Sequence, residues 1–406
     1  MTGKATLSAK ITWPNPTATI ELTMANDTSL PTAAPEVFPK APPEKGMFIS
    51  LGPQHPSTHG VLRVAITTDG EVVTSAQPDL GYLHRATEKL AEHRTYPQII
   101  VLTDRLDYLA AMTNNWSFCL AVEKLMGVAI PERADYLRII VGELQRIASH
   151  CVFLGTYGID IGAFTPFLVA FGRERERILD LFEEICGARL TYNYIRIGGV
   201  MADAPEGWDA KVRKFVKEMY GHLDEYDTLL TYNPIFMDRT KNIGKMSQEM
   251  AIAWGITGPN LRATGFKADV RKDDPYGLFP KMKFDIPIGK QGDCWERYWV
   301  RVQEMRESLK IIEQALDQMQ PGDTMGKIAK TFRVPQGEGY GHLEAPRGDL
   351  GFYIVSDGSP SPYRMHIRAP SFVNLQVLQV LLKDWKVSDV IAILGSIDIV
   401  LGEVDR

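Results

Sequence analysis

The chain has 406 residues, of which 45% are hydrophobic and 23% are charged, and its formal net charge is −5. This length can bury a large core and allows two or three subdomains, and the composition is that of a soluble globular protein. The acidic balance and the lack of a basic tract argue against a nucleic-acid-binding surface. No apolar run reaches the roughly 20 residues of a membrane-spanning helix, so any association with a membrane is expected to be peripheral.

The first 46 residues are punctuated by seven prolines and predict an extended arm with a short strand near 18–22. Such an arm would either dock on a neighbouring subunit or be disordered. Residues 47–100 predict a β-hairpin region, with strands at 47–51, 61–68 and 71–75. The dipeptide Asp69-Gly70 supplies the hairpin turn between the last two strands.

Residues 101–330 predict a helical core, because apolar side chains recur there at spacings of three and four. The predicted helices run from a cap at Thr103 or Asp104 to about 125, from Pro131 to about 154, and over 166–186, 205–230, 247–254 and 295–316. A loop at 155–162 is expected to carry Asp160.

Residues 331–406 predict a mixed C-terminal α/β region. Strands at 340–344 and 350–355 flank the turn Pro346-Arg347-Gly348, and a strand at 363–368 and a helix at 388–394 follow. The predicted fold class is therefore mainly α with small β-units (α+β).

The cysteines are widely separated and include no C-x-x-C pair: Cys119, Cys151, Cys186 and Cys294. This pattern predicts free, buried thiols in a reducing compartment. The chain alone therefore offers no recognisable ligand set for an iron–sulfur cluster or a tetrahedral zinc ion.

The loop at 52–61 (GPQHPSTHGV) holds two histidines four residues apart, His55 and His59, between prolines and glycines. A polar loop on a rigid hairpin is suited to presenting side chains to a site. Zinc binding, a purely structural role and proton delivery to a bound substrate are all compatible with this pattern. Metal binding is the weakest of the three, because no carboxylate and no helix accompany the pair. Proton delivery is favoured, because histidine titrates near neutral pH.

No better-known catalytic motif accompanies the loop: G-x-G-x-x-G, the P-loop and G-x-S-x-G are all missing from the sequence. The chain is therefore not expected to bind a nicotinamide or flavin. If it takes part in redox chemistry, its electrons come from another protein.

The loop resembles the signature of the quinone-reducing D-type or 49-kDa subunit of respiratory complex I. Further matching segments follow in family order, at 81–85 (GYLHR), 105–108 (RLDY), 194–200 (YIRIGGV), 304–308 (EMRES), 353–358 (YIVSDG), 367–372 (IRAPSF) and 402–406 (GEVDR). They run from about residue 47 to the end of the chain. The resemblance implies the quinone-reducing subunit of a proton-translocating NADH:quinone oxidoreductase.

That family in turn resembles the large subunit of nickel–iron hydrogenases, whose helical core this chain is expected to share. Two C-x-x-C pairs hold the metals in those enzymes. The matching positions here are Asp107 and Ala110 for the first pair, and Val400 and Glu403 for the second. Because nickel and iron need such soft thiolate ligands, no metal is expected here.

The resemblance also implies the partners and the place of the chain. The vacated cavity is expected to bind quinone as substrate, next to a 4Fe–4S cluster in the B-type subunit. C-type and H-type subunits are the other expected neighbours. The chain is expected to lie peripherally on the cytoplasmic face of the cell (inner) membrane.

Site roles follow from the same resemblance. His59 and Tyr108 are predicted to donate protons to the quinone, with Asp160 paired to His59 and holding it cationic. His55 is predicted to shape the loop and to line the quinone site. Beyond this group, Arg85 and Arg105 are expected near the partner's cluster, where positive charge raises the reduction potential.

Three alternatives remain: the D-type subunit of a complex fed by ferredoxin or a deazaflavin, an active hydrogenase large subunit, which the missing cysteines oppose, and a non-catalytic assembly scaffold. The sequence also departs from the family pattern. Thr191 stands where many relatives have a histidine linked to cluster reduction, and the segment 318–334 is shorter than usual.

Overall fold

Two small antiparallel sheets flank a helical centre in the computed structural model, which describes residues 46–329 and 332–406. The arm predicted for 1–46, except Gly46, and its strand near 18–22 lie outside the described residues. Within the described part, no helix is both long and apolar enough to cross a bilayer.

The strands form two three-stranded sheets and one two-stranded ribbon. In chain order they are β1 (Met47–Leu51), β2 (Arg63–Asp69), β3 (Val72–Asp79), β4 (Ile195–Arg196), β5 (Gly199–Val200), β6 (Gly337–Ala345), β7 (Gly348–Ser356) and β8 (Arg364–Arg368). The sheet orders are β1-β2-β3, β4-β5 and β6-β7-β8, and all neighbouring strands are antiparallel. These strands confirm the predicted hairpins at both ends of the described chain.

Helices make up most of the remainder, so the predicted fold class is confirmed. They are α1 (Thr87–Ala91), α2 (Tyr96–Thr103), α3 (Ala111–Met126), α4 (Glu132–Asp160), α5 (Glu176–Cys186), α6 (Trp208–Tyr226), α7 (Pro234–Thr240), α8 (Gln248–Ala253), α9 (Pro259–Ala263), α10 (Val270–Asp273), α11 (Cys294–Gln318), α12 (Pro370–Gln376), α13 (Leu378–Leu381), α14 (Val387–Ile397) and α15 (Leu401–Asp405). A π-helical segment, Phe167–Arg175, precedes α5.

The long helices α4 and α11 pack against each other and lie at the centre of the larger hydrophobic core. α4 is buried along most of its length, and its buried residues include Glu143, Arg146 and His150, which recur at helical spacing. A second hydrophobic core joins the β1-β2-β3 sheet to α12–α14. This second core brings the loop between β1 and β2 over the C-terminal end of α14.

Two predicted helix boundaries are wrong, and both errors concern site residues. The helix expected from Thr103 or Asp104 begins only at Ala111, because α2 ends at Thr103 and the chain then turns. The loop expected at 155–162 is instead the last part of α4, which continues to Asp160. Its glycines do not break the helix. A Cβ on Gly155 would lie 3.2 Å from the Phe167 Cα, so this glycine allows the next segment to approach closely.

The described residues, 46–329 and 332–406, belong to one compact unit. The division of this part into 47–100, 101–330 and 331–406 stays a prediction. All four cysteines are free, and Cys119, Cys151 and Cys294 are buried, as the sequence predicted.

Candidate functional site

The loop between β1 and β2 is closed by its own hydrogen bonds. β1 and β2 pair up to Leu51 and Val64, and residues 56–58 form a single 3₁₀ turn. The Thr58 hydroxyl is buried and donates to the His55 carbonyl at 2.7 Å, and the His55 Nδ1 accepts from the Ser57 N–H at 3.2 Å. His55 therefore caps the turn. Its contact with quinone stays a prediction.

His59 ends this turn in a left-handed conformation, with φ of 55°, and its side chain lies at the mouth of a cavity. The cavity has a volume of about 170 Å³ and is lined by the loop, by the end of α4 and by the end of α14: Pro56, Ser57, His59, Phe153, Thr156, Tyr157, Ile159, Asp160, Gly395 and Asp398. The structure thus brings His59 and Asp160 to one cavity. Its floor is aromatic, because Phe153 and Tyr157 are stacked with ring centroids 5.3 Å apart.

The structure differs from the predicted His59–Asp160 pair. Asp160 Oδ1 accepts a hydrogen bond from the Ser57 hydroxyl at 2.7 Å. Burial raises the pKa of Asp160, while the Ser57 bond and the charge of His55 lower it. For His59, the protein packed around the ring lowers the pKa, Asp398 raises it, and Arg347 lowers it. The reason for the difference is positional: Ser57, two residues before His59 in the same turn, reaches the Asp160 carboxylate.

Arg347 connects the two halves of the site. It is fully buried in the turn between β6 and β7, and its Nη1 donates to Asp107 Oδ2 at 2.6 Å and to Ser149 Oγ at 3.0 Å. Its Nη2 donates to Asp398 Oδ1 at 3.1 Å. One guanidinium therefore spans from the carboxylate beside His59 to the carboxylate next to Tyr108 in sequence. Burial opposes its charge, but Asp107 and Asp398 together keep the pKa of Arg347 above its usual value.

Tyr108 lies in the turn between α2 and α3 and not at a helix start as predicted, and it is half-buried. Burial raises the pKa of its phenol, as does the negative charge of Asp107, whereas Arg347 and Arg85 lower it. A phenol with a raised pKa keeps its proton until a strong base is formed beside it. Arg347 is thus a common electrostatic neighbour of Tyr108 and His59.

Arg85 and Arg105 lie together on the exposed side of this turn. The Arg85 guanidinium donates to the Arg105 carbonyl and, at 3.4 Å, to the Gly402 carbonyl. Partial burial and the charge of Arg105 lower the pKa of Arg85, and the neighbouring Tyr108 raises it. The two arginines therefore form a positive surface beside Tyr108, but their place near a partner's cluster stays a prediction.

The four positions that the sequence analysis matched to hydrogenase cysteines are all buried: Asp107, Ala110, Val400 and Glu403. Burial and the charge of Asp107 raise the pKa of Glu403 to about 7. The Glu403 Oε1 accepts from the Ser371 N–H at 2.9 Å, and its Oε2 has no hydrogen-bond partner among the described residues. Among residues 46–329 and 332–406, no group of three acidic, histidine or cysteine side chains is placed to hold a metal ion.

A family model described as "Respiratory-chain NADH dehydrogenase, 49 Kd subunit" matches residues 160–331 and 325–406. The D subunit of the NADH-quinone oxidoreductase from Bacillus cytotoxicus is 54% identical over 360 residues, covering 88% of this chain and 98% of that protein. The chain belongs to this 49-kDa, or D-type, subunit family. The relative of the same name from Desulforamulus reducens is 55% identical over 358 residues, with the same coverage.

Membership in the 49-kDa subunit family confirms the resemblance drawn from the sequence motifs and makes the chain a subunit of an oxidoreductase complex. Sequence reasoning nevertheless missed Arg347 and Asp398. Arg347 was assigned only to a turn, and Asp398 was not singled out at all. The sequence signal was only an arginine in the turn between two predicted strands; its burial, which requires a buried partner for the charge, is seen in the structure.

Proposed function

We propose that this chain forms the quinone-reducing site of a proton-translocating NADH:quinone oxidoreductase. The observation that carries the proposal is the buried Arg347, which donates to Asp398 at the cavity lined by His59 and to Asp107, the neighbour of Tyr108 in sequence. Reduction of quinone to quinol takes two electrons and two protons. Two side chains that can hold and release protons, joined by one buried cation, meet the proton requirement of this reaction.

His59 and Tyr108 each donate one proton, and they do so under different conditions. The pKa of His59 is lowered by the protein around it, so its cation releases a proton readily. The pKa of Tyr108 is raised, so its phenol releases a proton only to the more basic reduced quinone. Asp160 accepts a hydrogen bond from the Ser57 hydroxyl in the same cavity. We assign to Asp160 the response to the loss of positive charge when His59 gives up its proton.

The small volume of the cavity and the exposed apolar residues near it indicate that a neighbouring subunit completes the quinone site. Its volume of about 170 Å³ is below the roughly 300–1,000 Å³ of sites for drug-sized ligands, so this chain encloses only the ring of the substrate. Ile159 at the cavity, and Phe164 and Leu168 beside it in sequence, are 42%, 58% and 56% exposed. An exposed apolar patch of this kind favours a neighbouring subunit, and we assign it to the membrane-embedded H-type subunit.

The remaining assignments complete the proposal. Electrons come from the 4Fe–4S cluster of the B-type subunit, which docks against the surface of Arg85 and Arg105. The C-type subunit is the third neighbour. The chain acts peripherally on the cytoplasmic face of the membrane.

Replacing Tyr108 by phenylalanine in the assembled enzyme tests the proposal. Loss of one proton donor should lower quinone reduction by about 100-fold or more, while reduction of the cluster by the upstream donor continues at its normal rate. Tyr363→Phe is the matched control, because Tyr363 is 70% exposed on the loop between β7 and β8. Unchanged quinone turnover in Tyr108→Phe would contradict the role of this residue.

A further inference from the structure

His342, near the middle of β6, lies between two carboxylates that come from different parts of the chain. Its Nδ1 is 2.8 Å from Asp349 Oδ1, on β7, and its Nε2 is 2.9 Å from Asp274 Oδ2, which follows α10. A neutral imidazole carries a proton on only one nitrogen, and an ionised carboxylate only accepts. Both contacts are therefore hydrogen bonds at the same time only when the ring is the imidazolium cation.

The short helix α10 is attached to β6 at both of its ends. At its start, the Val270 N–H donates to Glu344 Oε2 at 3.1 Å, and the buried Arg271 guanidinium donates to two buried carboxylates. At its end, Asp274 contacts His342, which lies two positions from Glu344 and so on the same face of the strand. The attachment at the start relies on an arginine, which stays charged, whereas the attachment at the end depends on a histidine proton.

Further charged or titratable groups lie near His342 on the elements packed around it: Tyr340 on β6, Lys124 and Glu123 on α3, and Arg368 on β8. The Tyr340 ring stacks on the imidazole, and Lys124 donates to the Tyr340 carbonyl at 3.2 Å. Glu123 pairs with a buried arginine. The hydrogen bond to Asp349 raises the pKa of His342 above its usual value, burial lowers this pKa, and Asp274 raises it further.

We propose that His342 and Asp274 form a latch, which holds the end of α10 on β6 while His342 is protonated and releases it when the proton leaves. This inference goes beyond the proposed function and does not depend on it. A neutral ring can donate to only one of the two carboxylates. Asp274 is the one released, because it is 77% exposed and water can solvate it, whereas Asp349 is 22% exposed and keeps Arg368 at 3.9 Å.

Opening of the latch changes a pocket that lies beside it. Residues 274–277 form one wall of this pocket, which has a volume of about 400 Å³ and is otherwise lined by the end of α3, the residues after it and β6. In the same wall, Tyr276 packs edge-on against Trp116 of α3, with ring centroids 5.2 Å apart. This aromatic contact does not titrate, so the release is local: Asp274 leaves β6, and the pocket opens at that side.

Hydrogen exchange of the assembled enzyme tests the latch, measured from about pH 6 to about pH 9 and corrected for the intrinsic pH dependence of exchange. The amides of Asp273 and Asp274 report on it, because they donate to the Asp269 and Val270 carbonyls. A proton held by a raised pKa stabilises the closed latch at low pH, and this stabilisation is lost as the pH rises through the pKa of His342. Because the ion pair is partly exposed, the protection of both amides should fall by about threefold.

Three variants isolate the imidazole proton. His342→Gln should lack the protection at low pH and its dependence on pH. His342→Arg, which stays charged and can donate to both carboxylates, should keep the protection across the whole range. Asp274→Asn should remove most of the pH dependence, and this residue is exposed enough for the variant to assemble even if His342→Gln does not.

His366→Gln is the matched control, because His366 on β8 is 54% exposed and contacts one carboxylate, that of Glu88. The exchange of α10 in this variant should follow that of the parent. Protection of the parent that does not change with pH would overturn the inference. So would a pH dependence that persists undiminished in Asp274→Asn, or a fall of protection with pH in His342→Arg.

Discussion

Replacing Arg347 by glutamine should open the site locally, and the size of the effect follows from burial. The side chains of Arg347 and Asp107 are 1% and 2% exposed, so the substitution leaves the Asp107 carboxylate without its cation. Asp398 keeps Arg301 at 3.5 Å, so most of the cost falls on Asp107. Removing one partner of a buried ion pair costs about 3–5 kcal/mol. At ~1.4 kcal/mol per factor of ten, the first turn of α3 should exchange its amide hydrogens at least about a hundredfold faster.

Hydrogen exchange followed by mass spectrometry of the assembled enzyme measures this effect. Arg189→Gln is the matched control, because Arg189 also pairs with several carboxylates (Asp180, Glu183 and Glu176) but is 38% exposed. Exposed ion pairs contribute less than about 1 kcal/mol to stability. The amide exchange rates of the Arg189→Gln variant should therefore change by less than tenfold.

A second change should reverse the first. In the double variant Asp107→Asn, Arg347→Gln, the stranded charge is gone, and most of the protection at α3 should return. Equal exchange in the Arg347 and Arg189 variants, or no recovery in the double variant, would refute the view that Arg347 is held by compensating buried charges.

Three further predictions concern space, pH and thiol chemistry. Gly395→Ala should abolish quinone reduction without preventing assembly, because its Cβ would lie 2.9 Å from the Tyr157 ring; Gly172→Ala, whose Cβ has 3.8 Å of room, should be tolerated. Burial raises the pKa of Asp104 to about 6, so ionisation of Asp104 lowers the stability of the fold as the pH rises to that value. The stability of Asp104→Asn, measured by thermal unfolding, should therefore increase relative to that of the parent by roughly 1 kcal/mol between pH 5 and pH 8. Cys186, which is only partly buried, should react with iodoacetamide before the three buried cysteines, as peptide mapping would show; faster labelling of a buried one would contradict the packing.

Local patterns were sufficient for part of the fold. Alternating side chains and the Asp69-Gly70 turn predicted β1–β3, because a strand and a tight turn are specified by neighbouring residues. The spacing of apolar residues likewise predicted α11. The end of α4 was predicted as a loop, whereas the helix continues through Gly155, which allows close packing with the next segment.

The site was predictable only in part for a related reason. The motif placed His59 and Asp160 in one site, and the structure brings them to one cavity. Their partners depend on contacts between distant parts of the chain: Arg347 meets Asp107 across 240 positions and Asp398 across 51. No periodicity or spacing in the sequence encodes such contacts, so they required the tertiary structure.

A cryo-electron microscopy map of the assembled enzyme with a short-chain quinone is the most direct test of the central claim. The account predicts ring density at the cavity between the loop and the ends of α4 and α14, with one ring oxygen within hydrogen-bond distance of His59 and the other facing Tyr108. Ring density at another surface of the subunit, or at this cavity but out of reach of both side chains, would contradict it.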